Sequence, residues 1–197
     1  MRRTDPLILG AGPAGASAAI RLAARGHRPV ILERAREVPD ALCGGFLSWR
    51  TLDSLRAIGI DPALLGDSLI HRVRLFHRTS CVEAALPRPA IGVSRHRLDS
   101  VLQAAAQRSG AGLERGVTVR SIAGRQLHLA DGSDLTPDTL FLASGKHDVR
   151  GAARPEDARG DDPTIGLRIR FGPAPALTRM IGGAIELHLF DRGYAGL

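Results

Sequence analysis

Residues 7–34 read LILGAGPAGASAAIRLAARGHRPVILER, and this stretch decides the fold. It begins with a short apolar run and continues through a glycine-rich turn into a helical pattern. It ends with a second apolar run that Glu33 closes. A strand, a helix and a second strand within about 30 residues form a βαβ unit. The expected fold is therefore α/β, with a Rossmann-like βαβ start and a parallel sheet.

The turn after the first strand has the pattern Gly10-x-Gly12-x-x-Gly15. In such a turn the first glycine permits the tight bend, and the second lets a pyrophosphate approach the backbone. The third lets the helix pack closely on the strand. The helix N-terminus then offers free N–H groups and partial positive charge to phosphates. Because a strand precedes the pattern and a helix follows it, the turn predicts a dinucleotide site.

The residues that close the second strand narrow the choice of dinucleotide. Glu33 lies 18 residues after Gly15, where an acidic side chain accepts hydrogen bonds from the adenosine ribose. It favours an unphosphorylated ribose, as in FAD or NAD, whereas the neighbouring Arg34 could reach a 2′-phosphate. The βαβ unit alone leaves FAD and NAD both open.

Later segments of the chain resemble FAD-dependent monooxygenases and geranylgeranyl reductases, as does the run from Gly10 to Arg34. These segments are CGGFLS (43–48), SRHRLDSVLQAAAQRSGA (94–111) and LFLASGKHDVRG (140–151). The resemblance implies a GR2-type FAD-binding domain with FAD as its cofactor. NAD(P)H would be a transient reductant, because the chain has a single dinucleotide motif.

The resemblance also implies which residues hold FAD. Ala14 and Glu33 would contact the AMP half, and Arg95 would approach the pyrophosphate with a guanidinium that can bond two oxygens. Val119 would meet the adenine through its backbone, while the loop after residue 43 would lie along the flavin. The full predicted cofactor set is Gly10, Gly12, Ala14, Gly15, Glu33, Arg34, Gly44, Gly45, Leu47, Arg95, Val119 and Gly145. No catalytic side chain is predicted, because flavins carry out the redox step themselves. No metal ligand is predicted, because the histidines show no metal-ligand spacing.

Two departures from the family patterns bear on the substrate. Aromatic-ring hydroxylases of this fold carry an Asp-Gly pair where this chain has Ala143-Ser144-Gly145, which argues against that subgroup. Geranylgeranyl reductases have a Tyr-x-Trp-x-Phe-Pro motif near the position of Tyr194, and here the tryptophan and proline are absent. A reductase or monooxygenase acting on an unidentified, lipophilic or polyketide-like small molecule is expected.

The domain organisation is expected to be contiguous. Residues 1–150 would form the FAD domain, residues 151–163 a linker and residues 164–197 the start of a β-rich substrate domain. Clean alternation in Ile165–Phe171 and Ile185–Leu189 predicts strands there. The family's later Gly-Asp segment is absent, so the alternative is an incompetent fragment that needs a missing C-terminal part, an oligomer or a completing chain.

Composition argues against other classes of protein. The net charge is +7, but Lys146 is the only lysine, the arginines are dispersed and aromatic residues are 4% of the chain. Stacking platforms for nucleic acid are therefore scarce, and no nucleic-acid partner is expected.

No apolar run approaches the ~18 residues of a membrane span, and the N-terminus lacks a signal-peptide core. A cytoplasmic location is expected. Cys43 and Cys81 form no disulfide framework.

Overall fold

The computed structural model describes residues 5–155, 165–172 and 174–197. The helices are α1 (Pro13–Ala23), α2 (Trp49–Arg56), α3 (Arg95–Arg108) and α4 (Pro175–Ile181), with a short 3₁₀ helix at Pro62–Leu65. The strands are β1 (Leu7–Leu9), β2 (Val30–Glu33), β3 (Phe46–Leu47), β4 (Leu69–His77), β5 (Ser80–Gly92), β6 (Gly112–Arg115), β7 (Val119–Ala123), β8 (Gln126–Leu129), β9 (Asp134–Leu135), β10 (Leu140–Leu142), β11 (Ala184–Phe190) and β12 (Gly193–Gly196). None of the helices in these ranges has both the length and the apolar character needed to cross a membrane.

Contacts divide the chain into two compact units. The first comprises Met1–Asp40 and His96–Ile165, and the second comprises Ala41–Arg95 and Gly166–Leu197. Both units are thus discontinuous in sequence, whereas the predicted division at residues 150 and 164 is contiguous. The difference arises because β4 pairs with β11 over six residue pairs, which joins two segments about a hundred residues apart. Most of the predicted linker, residues 156–163, lies outside the described residues.

The first unit is built on a parallel sheet with the strand order β10-β1-β2-β6. All three side chains of β1 are buried, as expected for a strand covered on both faces. Leu7 and Leu9 pack with Ile122 and Leu127 of the antiparallel sheet β7-β8-β9. Ile8 faces the other way, toward Gly15 of α1. The expected α/β architecture with a parallel sheet is confirmed.

The second unit is a mixed sheet with the order β12-β11-β4-β5-β3. Its β4–β11 pair is parallel and its other pairs are antiparallel. Helix α2 is capped by Ser48, whose Oγ accepts from the Thr51 N–H at 3.4 Å. The expected strand at Ile185–Leu189 is present as β11.

The predicted strand at Ile165–Phe171 is wrong. Residues 165–172 have no regular secondary structure, and their alternate apolar side chains are 73–89% exposed. Alternation records that one face of a segment is apolar, but a strand also needs a neighbouring strand to pair its backbone groups. None of the described strands pairs with this segment. Arg168 Nη1 donates to the Ala41 carbonyl at 2.9 Å.

Candidate dinucleotide site

The glycine turn after β1 is shaped by two close backbone approaches. Gly10 has a φ of +103°, and a Cβ there would lie 2.5 Å from the Ala143 carbonyl oxygen. A Cβ on Gly15 would lie 1.9 Å from the Gly10 carbonyl oxygen and 3.2 Å from Ile8 Cγ2. A methyl group therefore fits at neither position, and α1 begins against β1 as the motif predicts.

The first turn of α1 presents backbone donors without competition from side chains. Gly12 is the N-cap, with φ −69° and ψ −177°, and no side chain caps the helix. The first turn has no acidic residue that would repel a phosphate. Ala14 is exposed in this turn. The arrangement suits an anion, because uncapped N–H groups and the helix dipole both favour negative charge there.

Glu33 ties the end of β2 to this turn. Its Oε2 accepts from the Ala11 N–H at 2.8 Å, and its Oε1 accepts from the Ala35 N–H at 2.9 Å. An ionised carboxylate has about four acceptor positions, so about two remain for the hydroxyls of a ribose. Glu33 is half-buried, whereas Arg34 beside it is exposed.

The turn lies where the order of the parallel strands reverses. β1 is flanked by β2 on one side and by β10 on the other, and the Ala143 N–H donates to the Leu9 carbonyl at 2.9 Å. Ligands of open α/β sheets bind at such a switch point, outside the carboxyl ends of the strands. Gly145 follows β10 with a φ of +67°, and a Cβ there would meet nothing within 4 Å. The residues present thus fit a dinucleotide.

The other predicted cofactor residues are spread over both units. Val119 begins β7 in the first unit and packs against the apolar cluster beneath the sheet. Gly45, with φ +71°, accepts from the Val93 N–H at 2.7 Å in the second unit. Leu47 pairs with Ile91 there. The predicted residues assigned to the second unit are Gly44, Gly45, Leu47 and Arg95, which is the half-buried first residue of α3.

Sequence reasoning missed two polar side chains that support the turn. Gln103 of α3 is 4% exposed and donates from Nε2 to the Ala11 carbonyl at 2.8 Å. Its Oε1 accepts from Nη2 of Arg115 at the end of β6. No sequence signal marks Gln103, because its burial and its two distant partners are visible only in the structure.

The second unit carries an ion-pair network across its sheet. Arg74 binds Glu186 at 2.8 Å and Glu83 at 2.6 Å, and it also donates to the Met180 carbonyl at the C-terminal end of α4. The hydrogen bond from Arg74 holds the pKa of Glu83 below its usual value. Glu186 is 5% exposed, so this guanidinium supplies the charge that a buried carboxylate requires.

A cleft of about 330 Å³ lies elsewhere in the second unit, between α2, the 3₁₀ helix and β5. Trp49 lines it together with Arg56 and Arg88, which both bind Asp53. The hydrogen bond from Arg88 is the main cause that lowers the pKa of Asp53. Because two arginines share one carboxylate, this side of the cleft keeps a net positive charge.

Comparison with known proteins agrees with this geometry. Residues 3–151 match the family model described as FAD binding domain. The menaquinone reductase of Mycobacterium tuberculosis is 30% identical over 159 residues, which cover 75% of this chain and 39% of that protein. The chain thus spans about two fifths of the length of the curated relatives it matches.

Solved structures share the fold at lower identity. A flavoprotein/dehydrogenase from Cytophaga hutchinsonii aligns with 99% of this chain and 55% of its own, with a TM-score of 0.67 and 18% identity. A geranylgeranyl bacteriochlorophyll reductase-like protein from Thermoplasma acidophilum aligns with 95% of this chain and 50% of its own, with a TM-score of 0.65 and 15% identity. With the glycine turn, Glu33 and the switch point in place, the chain belongs to the FAD-binding domain family, and FAD is its cofactor.

Proposed function

We propose that the protein is an FAD-dependent oxidoreductase, a reductase or monooxygenase that acts on a lipophilic small molecule. The observation that carries the proposal is the turn at Gly10–Gly15 with Glu33 beside it, at the switch point of a parallel sheet. Bound flavin would supply the redox chemistry. The described residues would hold the dinucleotide through backbone N–H groups and a carboxylate.

One face of the second unit's sheet supports a lipophilic substrate. Register places the side chains of Val73, Leu75, Val82, Leu187, Leu189 and Tyr194 on the same face. Val82 and Tyr194 are each 64% exposed, whereas the opposite face buries the charged Glu186. An exposed apolar patch is typical of a binding surface. The curated relatives are menaquinone reductases by name, which also favours a lipophilic, quinone-like substrate.

A second candidate is a chain that holds FAD only together with a completing segment, an oligomer or a partner chain. The exposed apolar run at residues 165–171 favours it, because such a surface is stabilised by burial. The cytoplasmic location, the transient NAD(P)H reductant and the role of each cofactor residue remain predictions.

FAD titration followed by reduction distinguishes the two candidates. The purified chain is titrated with FAD while flavin fluorescence and the visible spectrum are recorded. The first candidate predicts binding near one FAD per chain, reduction by NADH or NADPH without oxygen, and reoxidation by a short-chain naphthoquinone or by oxygen. A chain that FAD neither colours nor stabilises would refute it and favour the second candidate.

A further inference from the structure

Gln103 is a polar side chain buried within α3. It is 4% exposed, and its helix neighbours Leu102 and Ala106 are fully buried. Burying an amide is unfavourable unless both of its ends are hydrogen-bonded. Here both ends are bonded, and each bond reaches a segment distant in sequence.

The chemistry of its partners fixes the orientation of this amide. Arg115 can only donate, so it must face the amide oxygen, and it donates from Nη2 to Oε1. The Ala11 carbonyl can only accept, so it faces the amide nitrogen, at 2.8 Å from Nε2. Exchange of the amide oxygen and nitrogen would break both contacts. Gln103 therefore bridges Arg115 and the glycine turn in one orientation.

Ala11 is thereby held at both of its backbone polar groups. Its N–H donates to Glu33 Oε2 at 2.8 Å, and its carbonyl accepts from Gln103. Ala11 is fully buried between Gly10 and Gly12, two residues with wide conformational freedom. Holding the peptide groups of Ala11 restricts both neighbours, because each shares a peptide bond with it.

Arg115 uses one of its guanidinium nitrogens for Gln103 and leaves another without a partner among the described residues. Among the described residues, its Nη1 is buried without a hydrogen-bond partner. A buried donor of this kind is available to a ligand, an ion or a water molecule. Arg115 also stands in register with Glu33 on the neighbouring strand, so β6 brings it to the end of the sheet that carries the turn.

We propose that Gln103 and Arg115 are positioning residues that set the glycine turn for the dinucleotide. They hold Ala11 so that the N-terminus of α1 presents its N–H groups to the pyrophosphate and Glu33 keeps its free acceptor positions for the ribose. This role rests on the proposed binding of FAD at the turn. Neither residue needs to touch the cofactor.

The test compares Gln103→Leu with the matched control Gln107→Leu. Gln107 is exposed one turn further along α3, so the control makes the same chemical change outside the bridge. We expect Gln103→Leu to weaken binding of FAD and of AMP about 5- to 20-fold, the effect of losing one to two net hydrogen bonds. Gln107→Leu should bind both as the wild type does.

A second readout needs no cofactor. Hydrogen exchange at the Ala11 amide is measured in the cofactor-free protein, and Gln103→Leu should accelerate it several-fold while amides of β11 stay unchanged. Unchanged exchange at Ala11 together with unchanged FAD and AMP binding would overturn the proposal. If the wild type itself fails to bind FAD, the proposed function fails, and the Ala11 exchange still decides whether the bridge holds the turn.

A second pair of variants covers the case in which Gln103→Leu does not fold. Arg115→Met removes the donor to Gln103 Oε1, and Arg115→Lys keeps a donor on a stem of similar length. We expect Arg115→Met to weaken AMP binding and to accelerate hydrogen exchange at Ala11. Arg115→Lys should show a smaller change in both measurements. Equal AMP binding and equal Ala11 exchange in Arg115→Met, Arg115→Lys and the wild type would refute a positioning role for Arg115.

Discussion

The close approach of α1 to the glycine turn leaves no room for a side chain at Gly15. In Gly15→Ala the new methyl group would lie 1.9 Å from the Gly10 carbonyl oxygen, whereas ordinary contact begins near 3.4 Å. The helix and the turn must therefore separate by more than an ångström, and both are backbone. Ile8 Cγ2, at 3.2 Å, blocks a simple tilt of the methyl group toward the sheet.

Opposing terms set the size of this effect. Overpacking a buried site costs about 1–3 kcal/mol of stability. The cost at Gly15 lies at or above the upper end of this range, because the group in the way is the backbone carbonyl of Gly10. Alanine regains about 1 kcal/mol of helix propensity over glycine, because Gly15 lies within α1. We expect a net loss of about 2 kcal/mol, which lowers the unfolding midpoint by about 4–8 °C in a chain of this length.

Thermal unfolding followed by circular dichroism, together with FAD titration, measures the outcome. Gly172→Ala is the control, because a Cβ there meets nothing within 4 Å and its φ requires no glycine. We expect the control to match the wild type and Gly15→Ala to lose both stability and FAD affinity. A Gly15→Ala protein as stable as the control, with wild-type affinity, would refute the close approach of α1 to β1.

Further predictions concern three individual side chains. Glu33→Ala should weaken FAD binding about 10- to 100-fold by removing charge-assisted bonds of about 1.5–3 kcal/mol, and equal flavin-fluorescence titrations of variant and wild type would contradict this. Arg74→Met should lower the free energy of unfolding in urea, because it leaves the buried Glu186 without its cation. A urea midpoint equal to that of the wild type would show that the pair is dispensable. Arg74 also holds the pKa of Glu83 below its usual value. The Arg74–Glu83 pair therefore stabilises the fold at pH values above the unfolded pKa near 4.3, and this contribution is lost as the pH falls through the folded pKa. In Arg74→Met, the free energy of unfolding should depend less steeply on pH below pH 4.5. Leu167→Lys should reduce self-association measured by light scattering, since Leu167 is 89% exposed, and unaltered scattering would exclude this segment as its cause.

Local chemistry made part of the structure predictable. The glycine spacing, the all-apolar β1 and the acidic end of β2 each depend on a few consecutive residues, and together they predict the βαβ unit. The turn at Asp131 and Gly132 is equally local, since the Asp131 carboxylate accepts from the Ser133 N–H at 2.9 Å. These features follow from the sequence because steric and hydrogen-bonding preferences act over a few residues.

Other features depend on partners far along the chain. Alternating apolar and polar residues predicted strands at residues 165–171 and 185–189. Only the second segment forms a strand, β11, which pairs with β4. The same pairing placed residues 41–95 with 166–197, which a contiguous reading could not foresee. Alternation reports which side of a segment is apolar, and it does not report which edge will supply hydrogen bonds.

By itself, the sequence determined that a glycine turn joins a buried strand to a helix and that an acidic residue closes the second strand. Only the tertiary structure decided how that turn is held. Gln103 lies 92 residues from Ala11 and 12 from Arg115 in sequence, and folding brings the three together in one bridge. The physical reason is that φ preferences and apolar patterns are properties of neighbouring residues. A buried amide finds its partners only when separate segments of the chain pack against each other.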